Sequence, residues 1–408
     1  MLSLSLAEAQ KIILAAQGLA YPASHPAVKK DVLSAIRQMG LLQIDTISVV
    51  ARSPYLVLFS RLGSYQPDWL DETLAEGLLF EYWGHAACFI PAEDYRLYRR
   101  AMLEGNFPHY ISPEWLESRR EMVVAVYERI RREGPLKSSD FNQTSRPGTW
   151  WSWKDEKNIL ERLFNEGKLM IRRREKFQRV YDLQERIMPG WSDEGLPQND
   201  EIYTTLVTRT IGHLGLTAPE WIADYYRLPK RAIDPILKSL LAQGAVKPLT
   251  IQGFERPWCY RADQEGWLQD ILNNGEKPSL NTVLSPFDPL VWDRKRTRES
   301  FNFDYSLECY LPQAKRRFGY FSLPLLIRGR LVGRLDAKAH RLEGLFEVKR
   351  LVWEENEAVD ESLLADTAMA LKACAAWHGI PQIVVRQCDR PGLEPEIERL
   401  ANGTMGLV

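Results

Sequence analysis

The chain of 408 residues sets 53 Lys and Arg against 54 Asp and Glu, a formal net charge of −1, and is 45% apolar. That size and apolar share support about two or three domains with real cores. The near-zero charge argues against indiscriminate polyanion binding by the whole surface, while leaving room for local basic stripes. Five cysteines (88, 259, 309, 374, 388) stand singly with no C-x-x-C pair, which speaks against a structural zinc or a disulfide framework and fits a reducing cytosol. The first residues carry no basic segment leading into an apolar run, and no stretch is long and apolar enough to span a bilayer, so a cytoplasmic location without membrane partners is expected.

In chain order, Ser5-Leu6-Ala7-Glu8 is a capping box, and the periodic run to about residue 17 predicts a helix closed by Gly18. Residues 27–39 predict a second helix, ended by Gly40. Leu41-Leu42-Gln43-Ile44-Asp45-Thr46-Ile47 follows as a strand. In an extended chain Gln43 and Asp45 point to one face, and Ile44 anchors the backbone from the other. An amide beside a carboxylate can hold one water: the amide orients it, and the carboxylate takes its proton and faces developing positive charge. The plainer alternative is a strand end at which Asp45 turns or caps the chain. Pro54 starts an apolar helical run through Arg61, residues 68–76 form a short amphipathic helix, and 78–90 read as extended up to Pro91. His85, within Glu81-Tyr82-Trp83-Gly84-His85, is a candidate for active-site support; amid apolar neighbours, a hydrogen-bonded core histidine is the plainer alternative.

Residues 112–184 follow the order of a winged helix. A helix opens at Ser112-Pro113-Glu114, a turn at 134–141 leads to a short helix, and 151–167 form another. Strands at 168–172 and 177–183 then flank a charged tip, Arg173-Arg174-Glu175-Lys176. Residues 200–262 repeat this order, with helices at 201–214, from Thr217 through 226 and at 232–243, then a hairpin from 245–251 and 258–261. The N-terminal segment reads as a third, divergent copy. After residue 280, strands are expected at 318–327, 330–338, 345–353 and 382–386, with a two-residue turn at Arg328-Gly329 and a helix over 360–378. The expected fold is therefore α+β: tandem winged helices over 1–110, 111–195 and 196–275, then a β-rich, barrel-like module over 276–408.

Lys and Arg concentrate at Arg172-Arg173-Arg174, Arg294-Lys295-Arg296, Lys315-Arg316-Arg317, and the series Arg328, Arg330, Arg334 and Lys338. Taken singly, each is a solvated surface as readily as a phosphate contact. Joined to winged-helix syntax, they point to nucleic acid held on one face. No H-E-x-x-H, P-loop or Gly-rich dinucleotide motif is present. Residues 284–294, with two prolines and two carboxylates around Trp292, read as a rigid interdomain turn in preference to a catalytic element.

The 41–47 segment, with 51–63, Glu81-Tyr82-Trp83-Gly84-His85, 284–296 and Val332-Gly333-Arg334-Leu335-Asp336-Ala337-Lys338, resembles the YcaQ/AlkX branch of the AlkZ-like DNA glycosylases over essentially the whole chain. The family's catalytic motif is Gln, an aliphatic residue, then Gln or Asp; this chain has the Asp form at Gln43 and Asp45. The resemblance implies a C-shaped clamp of winged helices on duplex DNA and a groove-entering hairpin, mapped provisionally to 318–338. It also implies excision of N7-alkylated purines and unhooking of interstrand crosslinks, with neither metal nor organic cofactor. Arg52, just past the motif, joins the basic clusters as a candidate DNA contact. By analogy the protein is a monomer at the nucleoid, with DNA containing alkylated or crosslinked bases as its partner. Two competing readings are a winged-helix transcription regulator and a purely architectural DNA clamp; neither releases a base from N7-methylguanine duplexes.

Overall fold

A computed structural model describes residues 2–106, 112–141 and 153–403. Trp151, where the helix over 151–167 was expected to begin, lies outside the described residues. The protein is α+β and divides into two compact units, residues 1–66 with 203–408, and residues 67–202.

In the first unit, Ser5 caps helix Leu6–Ala16: its hydroxyl accepts the Glu8 N–H, and the Glu8 carboxylate takes the Ser5 N–H at 2.7 Å. Helix Lys29–Met39 ends at Gly40 in the left-handed region, with φ of 77°. The strand that follows is only Leu42–Gln43. Pro54 lies in the first turn of helix Ser53–Leu62, where its missing N–H costs nothing. Helices Pro219–Tyr225 and Lys230–Ala242 lead into the antiparallel pair Val246–Ile251 and Trp258–Arg261. Strand Leu2–Leu4 adds to this pair in parallel, Leu4 opposite Ile251. Sequence patterning does not anticipate it, because three residues carry no period and the partner lies more than 240 positions away.

The C-terminal sheet has five strands in the order Asn281–Val283, Ser322–Ile327, Arg330–His340, Leu345–Trp353, Gln382–Val385. The first four pair antiparallel and the last is parallel to its neighbour. Register shifts at Leu325/Leu326 and Asp336/Ala337 strengthen its twist. Arg328 and Gly329 both have positive φ, 46° and 80°, which is the two-residue hairpin turn expected. Helix Glu361–Trp377, capped by Asp360, also matches expectation. Strand Asn281–Val283 and helices Arg294–Phe301 and Glu394–Asn402 were not anticipated. A single core joins Ile12, Ile13 and Leu14 to Trp221 and Trp258, to Phe303 and Tyr305, and to Leu326 and Leu331 of the sheet.

A buried ion pair lies beside that apolar core. Arg61 Nη1 and Nη2 reach Asp288 Oδ2 and Oδ1 at 2.6 and 3.0 Å, and the two side chains are 3% and 0% exposed. Arg61 Nε donates to the Gln17 carbonyl, and Asp288 also accepts the Leu290 N–H. Beside it the Ser53 and Ser285 hydroxyls meet at 2.7 Å. Residues 284–294 are thus a structural turn, as the sequence suggested: they tie the N-terminal helices to the sheet.

The second unit holds the hairpin Leu79–Trp83/Ala87–Pro91 and a helical group ending in the antiparallel strands Leu169–Glu175 and Gln178–Leu183. Its helices Arg120–Glu133, Ser138–Phe141 and Trp153–Asn165 precede that hairpin in the expected order. The turn differs from expectation: it is Lys176-Phe177, both at positive φ, so Arg173 and Arg174 lie in the strand. Arg174 turns inward. With Arg179 it holds the fully buried Glu81, Arg174 Nη2 to Oε2 at 2.8 Å and Arg179 Nε at 3.1 Å. Burial alone would raise the Glu81 carboxyl, but the two guanidiniums outweigh it and hold it below the usual range.

Removing one partner of a fully buried pair strands the other charge. Asp288→Ala is expected to lower the unfolding free energy by about 3–5 kcal/mol, read by urea denaturation. An unchanged midpoint would show that water reaches Arg61.

Candidate active site

Gln43 ends its strand 7% exposed, and its Oε1 finds no hydrogen-bond partner among the described residues. Ile44 is buried as well, so burial does not alternate from Leu41 through Ile44. Asp45 is past the strand. Its Oδ1 accepts the Ile47 N–H at 2.8 Å, a side-chain turn, and the residue is half-buried. The strand is too short for alternation to set Gln43 and Asp45 on one face as expected, and the orientation of Asp45 comes from the turn. Burial pushes the Asp45 carboxyl up from the ordinary aspartate range, opposed by the Ile47 hydrogen bond.

The backbone on either side is fixed. Upstream, the Met39 carbonyl accepts Tyr225 Oη at 2.7 Å, and the Gln38 carbonyl accepts His213 Nδ1 at 2.8 Å. Burial pushes the His213 imidazole down to about 4, so it packs there neutral. The Tyr226 hydroxyl and His213 Nε2 occupy the space a Cβ at Gly40 would need. Downstream, the Val49 carbonyl accepts the Ala339 N–H at 3.2 Å, and the Val50 carbonyl accepts Arg341 Nη2 at 2.5 Å. Asp45 lies within electrostatic reach of Cys309 and Tyr310: burial first and then its negative charge raise the Cys309 thiol, and Cys309, burial and then Asp45 raise the Tyr310 phenol. This loop was missed by sequence reasoning, although an exposed Tyr-Leu-Pro just before Lys315-Arg316-Arg317 was a usable signal.

The candidate DNA contacts separate sharply by burial. Lys315, Arg317 and Lys338 are exposed, and Arg52, Arg172, Arg173 and Arg316 are partly so. Arg173 pairs with Glu175. Arg334 is a correction. It is 2% exposed, pairs with Glu354, donates to the Asp304 carbonyl, and its guanidinium lies 4.2 Å from the Phe318 ring and 4.4 Å from Phe303. Arg174 is likewise committed to Glu81. Neither side chain can reach a phosphate without abandoning a buried carboxylate or aromatic cage. Arg328 pairs with Asp366 and Ser362, and Arg330 with Glu357, so the hairpin tip between them is tied to its own module. Gly329 packs against Pro278 and Leu14. His85 is buried in the turn between the strands Leu79–Trp83 and Ala87–Pro91 of the second unit. Among the described residues, no three His, Cys, Asp or Glu side chains cluster as a metal site.

A model of the family described as DNA glycosylase AlkZ-like matches residues 36–402. Among solved structures, the chain is similar to the Streptomyces sahachiroi DNA glycosylase AlkZ, with a TM-score of 0.61 and 13% identity, over 95% of this chain and 100% of that one. At that identity the structural likeness shows the fold; the family model carries the membership.

Gly40→Ala would place a Cβ on Tyr226 and His213 at a backbone angle that L-residues avoid. We expect a loss of about 2 kcal/mol or more, measured as a lowered melting temperature. A melting temperature equal to wild type would mean that the 40–45 segment is not fixed from behind.

Proposed function

We propose that this chain, which belongs to the AlkZ-like DNA glycosylase family, hydrolyses the N-glycosidic bond of N7-alkylated purines and unhooks interstrand crosslinks through such bases. It is a DNA N-glycosylase, so its substrate is DNA. The observation that carries the finer reading is the half-buried Asp45 carboxylate, held by a turn two residues beyond the unpartnered Gln43 amide oxygen.

Alkylation at N7 makes the purine cationic and a good leaving group, so no strong acid is needed on the base. What requires help is the electron-poor sugar. Asp45 as a carboxylate stabilises the oxocarbenium-like charge and takes a proton from the attacking water. Gln43 orients that water through its amide. The motif contains no lysine, which favours water over an amine as nucleophile and release of the base without strand cleavage. A crosslinked base stays tethered to the opposite strand and cannot turn fully into a closed pocket. Asp45 in a turn at partial exposure suits such a base.

The helix–hairpin segments within 111–195 and 196–275 are read as winged helices, with 1–110 as a divergent copy. Lys315, Arg316, Arg317, Lys338, Arg172, Arg173 and Arg52 are the cations retained as DNA contacts, and His85 as support within its own unit. The enzyme acts as a monomer at the nucleoid in this reading, with no cofactor in the reaction.

Asp45→Asn keeps the shape and removes the charge. Release of N7-methylguanine from duplex DNA, read by alkaline cleavage at the abasic product, is expected to fall by roughly a hundredfold or more. Wild-type rates in that variant would sink the mechanism.

Rate also depends on pH with a definite sign. The active form is deprotonated and burial holds the carboxyl above its ordinary range, so excision falls as pH drops through that raised value. An acid limb no higher than that of an unperturbed aspartate would contradict this assignment.

A further inference from the structure

Between strand-like Tyr305 and strand Ser322–Ile327 the chain makes a braced loop. Glu308, 5% exposed, accepts the Phe318 N–H on its carboxylate at 2.7 Å, and its carbonyl accepts the Leu311 N–H at 2.9 Å. Arg316 Nε donates to the Leu311 carbonyl at 2.9 Å, and Tyr320 N–H to Asp336 at 3.0 Å. Phe318 at the base is clamped by the buried Arg334. So firm a frame carries an unusual surface. Tyr310 is 82% exposed, Leu311 42% and Tyr320 39%, with the Arg316 guanidinium 4.9 Å from the Tyr320 ring and Lys315 and Arg317 exposed alongside. Exposed aromatics interleaved with cations are costly to keep in water and match what single or unstacked nucleotides need: faces to stack on and charges for the backbone.

We propose that the 308–320 loop is a base-stacking platform beside the reaction centre, with Tyr310 against the face of a nucleobase unstacked at the lesion and Lys315 and Arg317 on the flanking phosphates. This rests on the assignment of Asp45 as the catalytic carboxylate; the loop reaches the same strand as the segment trailing Asp45, Tyr320 bonding Asp336 and Val49 bonding Ala339 three residues further along. Tyr310 is then a positioning residue: it holds the distorted strand open so that the sugar meets Asp45. A crosslinked base gains most, since stacking needs a face and not a closed pocket.

The test uses the full chain and a duplex with 2-aminopurine next to a tetrahydrofuran abasic site, and in parallel an N7-methylguanine duplex under single-turnover conditions. Wild type and Tyr310→Phe are expected to change the 2-aminopurine fluorescence alike, and Tyr310→Ala to leave it near that of free DNA. Base release should slow about tenfold or more in Tyr310→Ala and recover in Tyr310→Phe. Lys315→Ala should lower the salt slope of binding by about one, and Tyr310→Ala should not change it. Tyr310→Ala behaving as wild type in both assays overturns the platform. So does slow release with wild-type fluorescence, which would make the effect merely structural. A wild-type enzyme that released no N7-methylguanine while showing the Tyr310-dependent signal would refute the proposed reaction and leave the platform standing.

Discussion

The buried Arg61–Asp288 pair is the constraint on which the larger unit depends. A guanidinium buried this deeply needs a carboxylate to balance its charge, and the one it finds is 227 residues away in sequence. Helix Ser53–Leu62 and residues 284–294 are thereby fixed to one another. The Gln43–Asp45 segment lies just ahead of that helix, and its trailing loop is bonded at Val49 and Val50 to the end of strand Arg330–His340 and to Arg341. The 308–320 loop enters strand Ser322–Ile327, which neighbours that same strand. The segment that carries this carboxylate and the 308–320 loop are thus held by neighbouring strands of one sheet, although the chain between them runs through more than 260 residues.

Four arginines that look like surface charge in the sequence are internal braces. Arg174 and Arg179 answer Glu81, Arg296 donates to the carbonyls of Pro289 and Leu290, and Arg334 is caged by two aromatic rings and Glu354. Burial pushes the Arg296 guanidinium down, while its Nη2 is held by two backbone carbonyls. Clusters at Arg172–Arg174 and Arg294–Arg296 are therefore mixed: one member faces solvent while another holds the fold. Pairing arginines with carboxylates inside leaves the net charge of the surface unchanged, so a basic face on a near-neutral chain must come from how the exposed cations are distributed.

How far the sequence could be read follows from the range of each interaction. Caps and turns are local, so the Ser5/Glu8 box, the Gly40 stop, the Arg328-Gly329 turn and the Asp360 start were all legible. Strands Leu2–Leu4 and Asn281–Val283 were not, since each is three residues long and exists only because a distant partner offers an edge. The turn at Lys176-Phe177 was misplaced by two residues because the run of charges looked like a tip; in the fold, Arg174 is drawn back into the strand by a carboxylate that no local pattern reveals. At the proposed site, Gln43 and Asp45 are named from their chemistry and by resemblance. The contacts of Tyr225, Tyr226 and His213 behind Gly40 were not, because they come from helices that begin more than 150 residues later.

Asp45 had two readings in the sequence, a turn-forming residue and a catalytic carboxylate, and the structure makes them compatible. A freely rotating aspartate at the surface would be a poor partner for a transition state, because its charge would have to be oriented during the reaction. Here Oδ1 is engaged by the Ile47 N–H, which fixes the side-chain rotamer before any substrate arrives. In the proposed reaction the other oxygen, Oδ2, is the one presented to water and sugar. The turn bond favours the charged form while partial burial disfavours it, and burial wins. The result is a carboxylate that is slightly more basic than an exposed one and already aimed, which is what proton transfer from water beside a departing cationic base requires. The feature that looked like the reason to dismiss Asp45 is the device that would make it useful.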